Sequence, residues 1–167
     1  MIRAALLATA MALAQDVHAT NGLNLIGIGA ESTMMGGADV ALARDTSSLN
    51  ANPAGIAGLR TRAFDLFGAV AVGTDVGHAD ALGNDRDVSN RYIPIAGFGV
   101  GAPVAGTRLS WAAGMFAQGG AGVSYRDLAT GFGTRDDLRS IFRIGKLAAG
   151  IGWQATDALA LGASLSA

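Results

Sequence analysis

The chain has 167 residues, of which half are hydrophobic and 25 are glycine, and its formal net charge is −1. It contains no cysteine, which excludes disulfides and cysteine-based metal sites. The charge is near zero and forms no basic stripe, so nothing indicates a nucleic-acid partner. After the first residues, no apolar run reaches the roughly 20 residues of a membrane-spanning helix, which excludes a helical membrane protein.

The first 19 residues have the pattern of a secretion signal. Arg3 supplies a positive region, residues 4–14 are almost entirely apolar, and Val17 and Ala19 are small residues at the two positions that a signal peptidase reads. The apolar stretch is too short to act as a retained membrane anchor. We therefore expect cleavage after Ala19 and export of the mature chain.

Residues 20–61 lack the alternation that is typical of strands and predict a compact, polar and glycine-rich plug. One short helical turn is expected over residues 38–49, with Asp45 or Thr46 as its cap. A second is expected to begin at Pro53, because proline suits the first position of a helix. This segment forms the first unit of the mature chain.

From residue 62 to the last residue, apolar side chains alternate with small or polar ones, the period-two pattern of strands with unlike faces. Five strands are predicted, over residues 63–74, 92–102, 108–118, 146–154 and 158–167. A soluble β-sandwich also alternates, but it needs bulky side chains to fill a core. Here one face is apolar and the other is largely Gly, Ala and Ser, which favours a membrane barrel over a sandwich.

The predicted connections alternate in length and composition. Residues 75–91 and 124–139 are long and charged, whereas residues 103–107 and 155–158 are tight turns. Transmembrane barrels have short periplasmic turns and longer extracellular loops. The predicted fold is therefore all-β, an antiparallel transmembrane β-barrel of which the chain holds about five strands. The loop charges are interpreted as solvated surface, with a loop site for a metal ion or lipopolysaccharide as the alternative.

Four motifs lie between the expected cleavage site and the first predicted strand. They are Asn21-Gly22-Leu23, Gly27-Ile28-Gly29, Met35-Gly36-Gly37-Ala38, and a run over residues 43–55 in which Asp, Ser and Thr are followed by Asn52-Pro53-Ala54. In these motifs the chain resembles the FadL/OmpP1/TodX family of outer-membrane transporters of long-chain fatty acids and aromatic hydrocarbons. The resemblance implies that residues 20–61 are a small helical N-terminal hatch that blocks the barrel lumen.

The resemblance also implies partners and a location. The location is the outer membrane of a Gram-negative bacterium, and the partners are a hydrophobic small molecule, outer-membrane lipid and the barrel-assembly machinery. Asn21, Gly22, Asn52, Pro53 and Ala54 are the predicted hatch residues, since Pro53 fixes φ and Asn52 can bond to neighbouring backbone. The chain differs from the family in ending within a strand, so we expect an N-terminal fragment that does not transport alone.

The predicted ligand path consists of apolar side chains that face inward. Phe67 and Phe116 fall on otherwise small or polar inward faces, and Leu23 stands in the first motif where the family commonly has an aromatic residue. Two inward charges, Asp65 and Arg108, are expected to bond to the hatch rather than to a ligand.

A glycine cluster marks the end of the third predicted strand. Gly119, Gly120 and Gly122 weaken the strand, and consecutive glycines commonly mark a bulge or a bend. In the family that the chain resembles, a kink in the third strand opens the barrel wall towards lipid. The resemblance thus implies a lateral exit for ligand here, and a plain β-bulge is the alternative.

No catalytic residue, metal ligand or cofactor site is predicted. His78 is the only histidine of the mature chain, and the glycines of residues 97–101 lack the third glycine of a dinucleotide motif. The predicted function is therefore passive outer-membrane transport of hydrophobic molecules with lateral release, and the protein is not expected to be an enzyme. The alternatives are a structural or adhesive barrel and a non-specific pore.

Overall fold

The computed structural model describes residues 21–41 and 45–167, so the predicted secretion signal lies outside the described residues. The described part of the chain begins with short helices: the 3-10 helices η1 (Asn21–Leu23) and η2 (Pro53–Gly58), and the α-helices α1 (Gly29–Met34) and α2 (Ser48–Ala51). None of the helices in the described ranges is long and apolar enough to cross a membrane.

The strands are β1 (Ala63–Val72), β2 (Gly77–Ala79), β3 (Asp85–Asp87), β4 (Tyr92–Pro103), β5 (Leu109–Ala129), β6 (Arg135–Gln154) and β7 (Ala160–Ser166). Five of them form one antiparallel sheet in the order β1-β4-β5-β6-β7, and β2 pairs with β3 as a separate hairpin. The prediction of a mostly antiparallel β fold is confirmed. Each predicted strand lies within or overlaps one of these five.

The prediction of a long loop over residues 124–139 was wrong. β5 and β6 remain paired as far as Ala129 and Arg135, which leaves only the turn Thr130–Thr134. The charges in this stretch misled the prediction because they indicate exposure to water and not the absence of a strand. Residues 135–143 are all exposed, and the strand backbone there is satisfied by the neighbouring strand.

The N-terminal helices match the prediction only in part. η2 begins at Pro53 as predicted, but α2 begins at Ser48, later than the predicted turn over residues 38–49, and α1 was not predicted. Asp45 acts in the turn that precedes α2, where its Oδ1 accepts the Ser47 N–H at 2.8 Å.

The sheet has two unlike faces. Along β6, Leu147, Ile151 and Trp153 are exposed, whereas Ala148, between them, is buried. We call the first face outer and the second inner. The outer face also carries exposed apolar side chains from the other four strands: Phe64, Leu66, Val70, Val72, Tyr92, Phe98, Leu109, Trp111, Met115, Leu161 and Leu165.

The described N-terminal segment, residues 21–41 and 45–61, packs on the inner face. The core between them is formed by Leu49, Ile56, Phe67, Ala112, Phe116 and Ala148. Glycines of the inner face allow this close approach. A Cβ at Gly152 would overlap the Ala57 backbone, and one at Gly162 would overlap the backbone of Pro53 and Ala54. The absence of these side chains is what lets the segment lie directly on the sheet.

Candidate functional site

The hydrogen-bonded ladder between β4 and β5 stops halfway along the strands. It runs from Pro103 and Ser110 to Phe98 and Met115, and the register gives no β4–β5 pair beyond that point. Farther along, hydrogen bonds join the residues before β4 to β5 again. Ser89 donates to Ser124 O from its backbone N–H at 2.7 Å and from its hydroxyl at 2.8 Å, and Asn90 Nδ2 donates to Gly122 O at 3.2 Å. Between these two places the sheet is open.

A bulge in β5 accounts for the interruption. β5 stays paired with β6, but the register shifts between Ala117 and Gly119, so Gln118 is an extra residue on β5. The Gln118 carbonyl accepts the Leu25 N–H at 2.7 Å, and Asn24 forms a bridge with Gly119. The edge of β5 therefore bonds to the N-terminal segment where it would otherwise bond to β4.

The predicted glycine cluster lies at this bulge. A Cβ at Gly119 would overlap the Leu23 carbonyl, and Gly120 has φ of 147°, a conformation that other residues rarely adopt. Gly122 contributes the carbonyl that binds Asn90. The predicted bulge is confirmed, and it coincides with the gap in the ladder.

An apolar cavity of about 570 Å³ occupies the opening. Tyr92, Met115 and Ala117 line it from the outer face. Ile95 and Phe116 line it from the inner face. Because residues of both faces contribute, this wall cavity crosses the sheet.

A second apolar cavity, of about 530 Å³, lies between the N-terminal segment and strands β1 and β4, and we call it the inner cavity. Phe67 and Ile28 are among its lining residues. Both cavities are lined by Leu25, Ala71, Ile95, Ala96 and Ala117. The inner cavity and the wall cavity therefore adjoin, and Leu25 lies at their junction.

The predicted path residues lie in different positions relative to these cavities. Phe67 lines the inner cavity and Phe116 lines the wall cavity, with 5.9 Å between their ring centroids. Leu23 lines neither cavity, and its carbonyl is the group that faces Gly119. Leu25, two residues later, lines both cavities instead. The only signal in the sequence that could have indicated Leu25 is that it is apolar, a property that it shares with Leu23.

Comparisons of the chain with protein-family profiles, with curated proteins and with solved structures found no match. In the two described ranges, no group of three or more His, Cys, Asp or Glu side chains is placed to hold a metal ion.

The predicted hatch residues form two groups. Asn52 Oδ1 accepts the Ala54 N–H at 3.2 Å and its Nδ2 donates to Val40 O at 3.0 Å, while Pro53 starts η2 against β7. Asn21 and Gly22 belong to η1, and the space around Gly22 is open. The first group packs on the sheet, whereas Gly22 meets no steric constraint.

Polar contacts also hold the N-terminal segment on the inner face. Asp65 Oδ2 accepts the Thr46 N–H at 2.9 Å, so the expected bond between this carboxylate and the segment is confirmed. The expectation for Arg108 was wrong, because its guanidinium donates to Asp157 at 3.1 Å in the β6–β7 turn. Arg108 precedes β5 beside that turn, so the Asp157 carboxylate lies within ion-pair distance of its guanidinium. Gln118 Nε2 donates to Asn50 Oδ1 at 2.8 Å, an anchor that was not predicted.

The β2–β3 hairpin covers the inner side of the far end of β5. Val88 packs with Tyr125 and Leu128, and Asn84 is bonded to both backbone groups of Ala129, at 2.7 and 3.0 Å. The Asn84 side chain also donates to Asp80, and this bond is the main reason that the pKa of Asp80 is lowered to about 2.

Next to the hairpin, an ion pair ties β5 to β6. The Arg135 guanidinium donates to the Asp127 carboxylate at 2.6 Å. This hydrogen bond is the main reason that the pKa of Asp127 is lowered from its usual value. Arg86 of β3 adds a second, longer ion pair to Asp127 at 3.7 Å. All three side chains are exposed, so we expect this group to orient the strands more than to stabilise them.

Proposed function

We propose that this chain forms part of an outer-membrane β-barrel transporter through which hydrophobic molecules diffuse passively and leave sideways into the lipid. Long-chain fatty acids and aromatic hydrocarbons are the proposed ligands, in keeping with the resemblance to the FadL/OmpP1/TodX family. The observation that carries the proposal is the apolar wall cavity at the interrupted β4–β5 ladder. The proposed activity involves no bond chemistry and no cofactor.

The outer face supports a membrane location. Its apolar side chains include Leu66, which is 77% exposed, and Leu147, which is 63% exposed. A contiguous apolar face of this extent is unfavourable in water, whereas lipid solvates it. A sheet can span lipid only as a closed barrel, because unpaired backbone groups there cost several kcal/mol each. We therefore propose that strands paired with the free edges of β1 and β7 complete the wall.

The inner face supports transport of apolar molecules over the alternatives. The N-terminal segment covers this face with a buried core, which is unfavourable for a permanently open aqueous pore. An adhesive scaffold, in turn, needs no cavity through its wall. We propose that residues 20–61 act as a hatch and that the inner cavity beside this hatch leads a ligand to the opening.

The proposed path has two steps. A ligand enters the inner cavity beside Phe67 and then passes Leu25 into the wall cavity beside Phe116. Transfer of apolar surface out of water drives each step, at about 25 cal/mol per Å². Leu25 lines both cavities, and its backbone N–H donates to Gln118 O, so we propose that movement of Leu25 controls passage between them.

The test measures transfer of a fluorescent fatty acid by the full-length protein in lipid vesicles. Ile95→Asp places a carboxylate in the lining of both cavities and should slow transfer by about tenfold or more, because an unpaired charge disfavours apolar contact. Ile95→Val keeps the lining apolar and should transport normally. Ser140→Asp adds the same charge at an exposed position that lines neither cavity and serves as the control. Normal transfer by Ile95→Asp would refute the path.

A further inference from the structure

The outer row of β6 changes in character along the strand. Trp153, Ile151 and Leu147 are exposed and apolar, and strand alternation continues the same row through Gly145 to Arg143 and then, past Ile141, to Arg139. β6 has no bulge of its own, since the register shift opposite Gly145 is an extra residue on β5. Both arginines therefore lie on the outer face.

The position of Arg143 corresponds to the edge of a lipid bilayer. It is ten residues from Trp153, which is about 33 Å along a strand. At the strand tilt of roughly 40° found in membrane barrels, this is a height of about 25 Å, the height of their apolar band. Arg143 would thus be level with the lipid headgroups on the side away from the tight turns, with Arg139 just beyond.

Both guanidinium groups are accessible and free to bind an anion. In residues 21–41 and 45–167, no carboxylate lies within ion-pair distance of Arg139 or Arg143, although Arg135 on the same strand is paired. Their cross-strand neighbours on β5 are Ser124 and Gly120, which leave room beside them. Both arginines also line the wall cavity at its outer mouth.

We propose that Arg139 and Arg143 bind the phosphate groups of an anionic lipid in the outer leaflet and hold that lipid beside the wall opening. Guanidinium binds phosphate through paired, charge-assisted hydrogen bonds, which makes arginine well suited to this contact. Four residues of strand separate the two side chains by about 13 Å, so a doubly phosphorylated headgroup can reach both. The inference rests on the proposed function, because it requires the outer face to lie in lipid.

The test measures binding of a diphosphorylated outer-membrane glycolipid to the full-length protein in detergent by native mass spectrometry. The same lipid after enzymatic removal of its phosphates is the reference. We expect the wild-type protein to bind the phosphorylated lipid about tenfold or more tightly than the reference. R139Q/R143Q should lose this preference, and R139K/R143K, which keeps the charge, should retain part of it.

The control variant is R60Q/R62Q, which removes two exposed arginines at the opposite end of the sheet and should retain the full preference. A heat-modifiability gel confirms that each variant is folded. The proposal is overturned if R139Q/R143Q keeps the wild-type preference, or if the wild-type protein has none. It is also overturned if R139Q/R143Q binds the glycolipid normally but loses affinity only for a fatty acid, because the arginines would then contact the ligand carboxylate.

Transfer of an uncharged hydrocarbon into vesicles is measured in parallel and separates this inference from the proposed function. Absence of transfer by the wild-type protein, together with a normal phosphate preference, would refute transport and leave the lipid site in place. Normal transfer without a phosphate preference would refute the lipid site alone.

Discussion

The two halves of the sheet differ in how they are held together. In the lower half, between the tight turns and the pair Phe98–Met115, β4 and β5 are fully paired, and η2 and α2 fill the inner face. In the upper half, β5 is paired with β6 but not with β4, and the inner face is covered by the start of the N-terminal segment and by the β2–β3 hairpin. The lower half holds the buried core, whereas the upper half contains the wall cavity.

Glycine has opposite effects in these two halves. In the lower half, Gly152 and Gly162 remove side chains so that backbone can pack on backbone, which closes the structure. In the upper half, Gly119 and Gly120 allow a bulge that breaks the ladder, which opens it. The number of glycines in a strand therefore does not predict rigidity, and the neighbours of each glycine decide it. The following predictions test this contrast, from the largest expected effect to the smallest.

The largest effect is expected at Phe116, which is fully buried where the lower core meets the wall cavity. Phe116→Ala should lower the free energy of unfolding by about 3–5 kcal/mol, since it removes buried contacts and leaves a void. Urea unfolding of the full-length protein in lipid vesicles measures this. Phe132→Ala, in the exposed β5–β6 turn, is the control and should cost no more than about 0.5 kcal/mol. Equal costs would show that the core does not hold the N-terminal segment.

A smaller loss is expected at Gly152 in the lower half. Gly152→Val would push its side chain into the backbone of Ala57 and should destabilise the packed segment by about 1–3 kcal/mol. The measurement is the rate at which a protease cuts within the N-terminal segment. Gly145→Val is the matched control, because a Cβ at Gly145 meets no atom within 4 Å. Equal cleavage rates for the two variants would contradict the close packing described for the lower half.

The upper half should respond more locally, and Asn84 is the most informative position. Asn84→Ala leaves the N–H and the carbonyl of Ala129 without their partner, which should cost about 1–3 kcal/mol of local stability. Hydrogen exchange at Ala129 should become faster while exchange in the lower half stays unchanged. Asp85→Ala, at an exposed neighbouring position, should change neither. Faster exchange throughout the sheet would show that the halves are not independent.

The smallest effect is a change in titration. The pKa of Asp80 is about 2, below its ordinary value of 3.8, so its contribution to stability is complete above about pH 4 and is lost as the pH falls through about 2. In Asn84→Ala the pKa of Asp80 should rise toward 3.8, because the bond from Asn84 is the largest cause of the shift. Carbon NMR of the Asp80 carboxyl group measures this, and an unchanged pKa would refute the assigned cause.

The strands could be predicted from the sequence wherever apolar residues alternate with small or polar ones. Alternation between apolar and small residues gave β1, β4, β7 and the lower parts of β5 and β6. The glycine cluster at residues 119–122 gave the bulge, because few residues other than glycine allow such backbone. These features depend on residues that are close together in the sequence, so they could be predicted from the sequence alone.

Features that depend on distant contacts could not be predicted. The paired ends of β5 and β6, residues 124–129 and 135–143, do not alternate between apolar and polar side chains. Charged residues occur on both faces there, so the sequence does not indicate which face is the inner one. Leu25 lines the cavities only because its backbone bonds to Gln118, and Arg108 pairs with a turn that is 49 residues away. The gap between β4 and β5 is likewise a property of strand pairing, and neither strand indicates it alone.

The most direct test of the wall opening is to close it. Ala96 and Ala117 line the wall cavity and continue the register of the last β4–β5 pair, and the chain has no native cysteine to interfere. A reducible cross-link in A96C/A117C should reduce fatty-acid transfer to the rate of protein-free vesicles, and reduction should restore it. V100C/A113C, cross-linked within the intact ladder, should transport normally throughout. Wild-type transfer by cross-linked A96C/A117C would contradict lateral release through this opening.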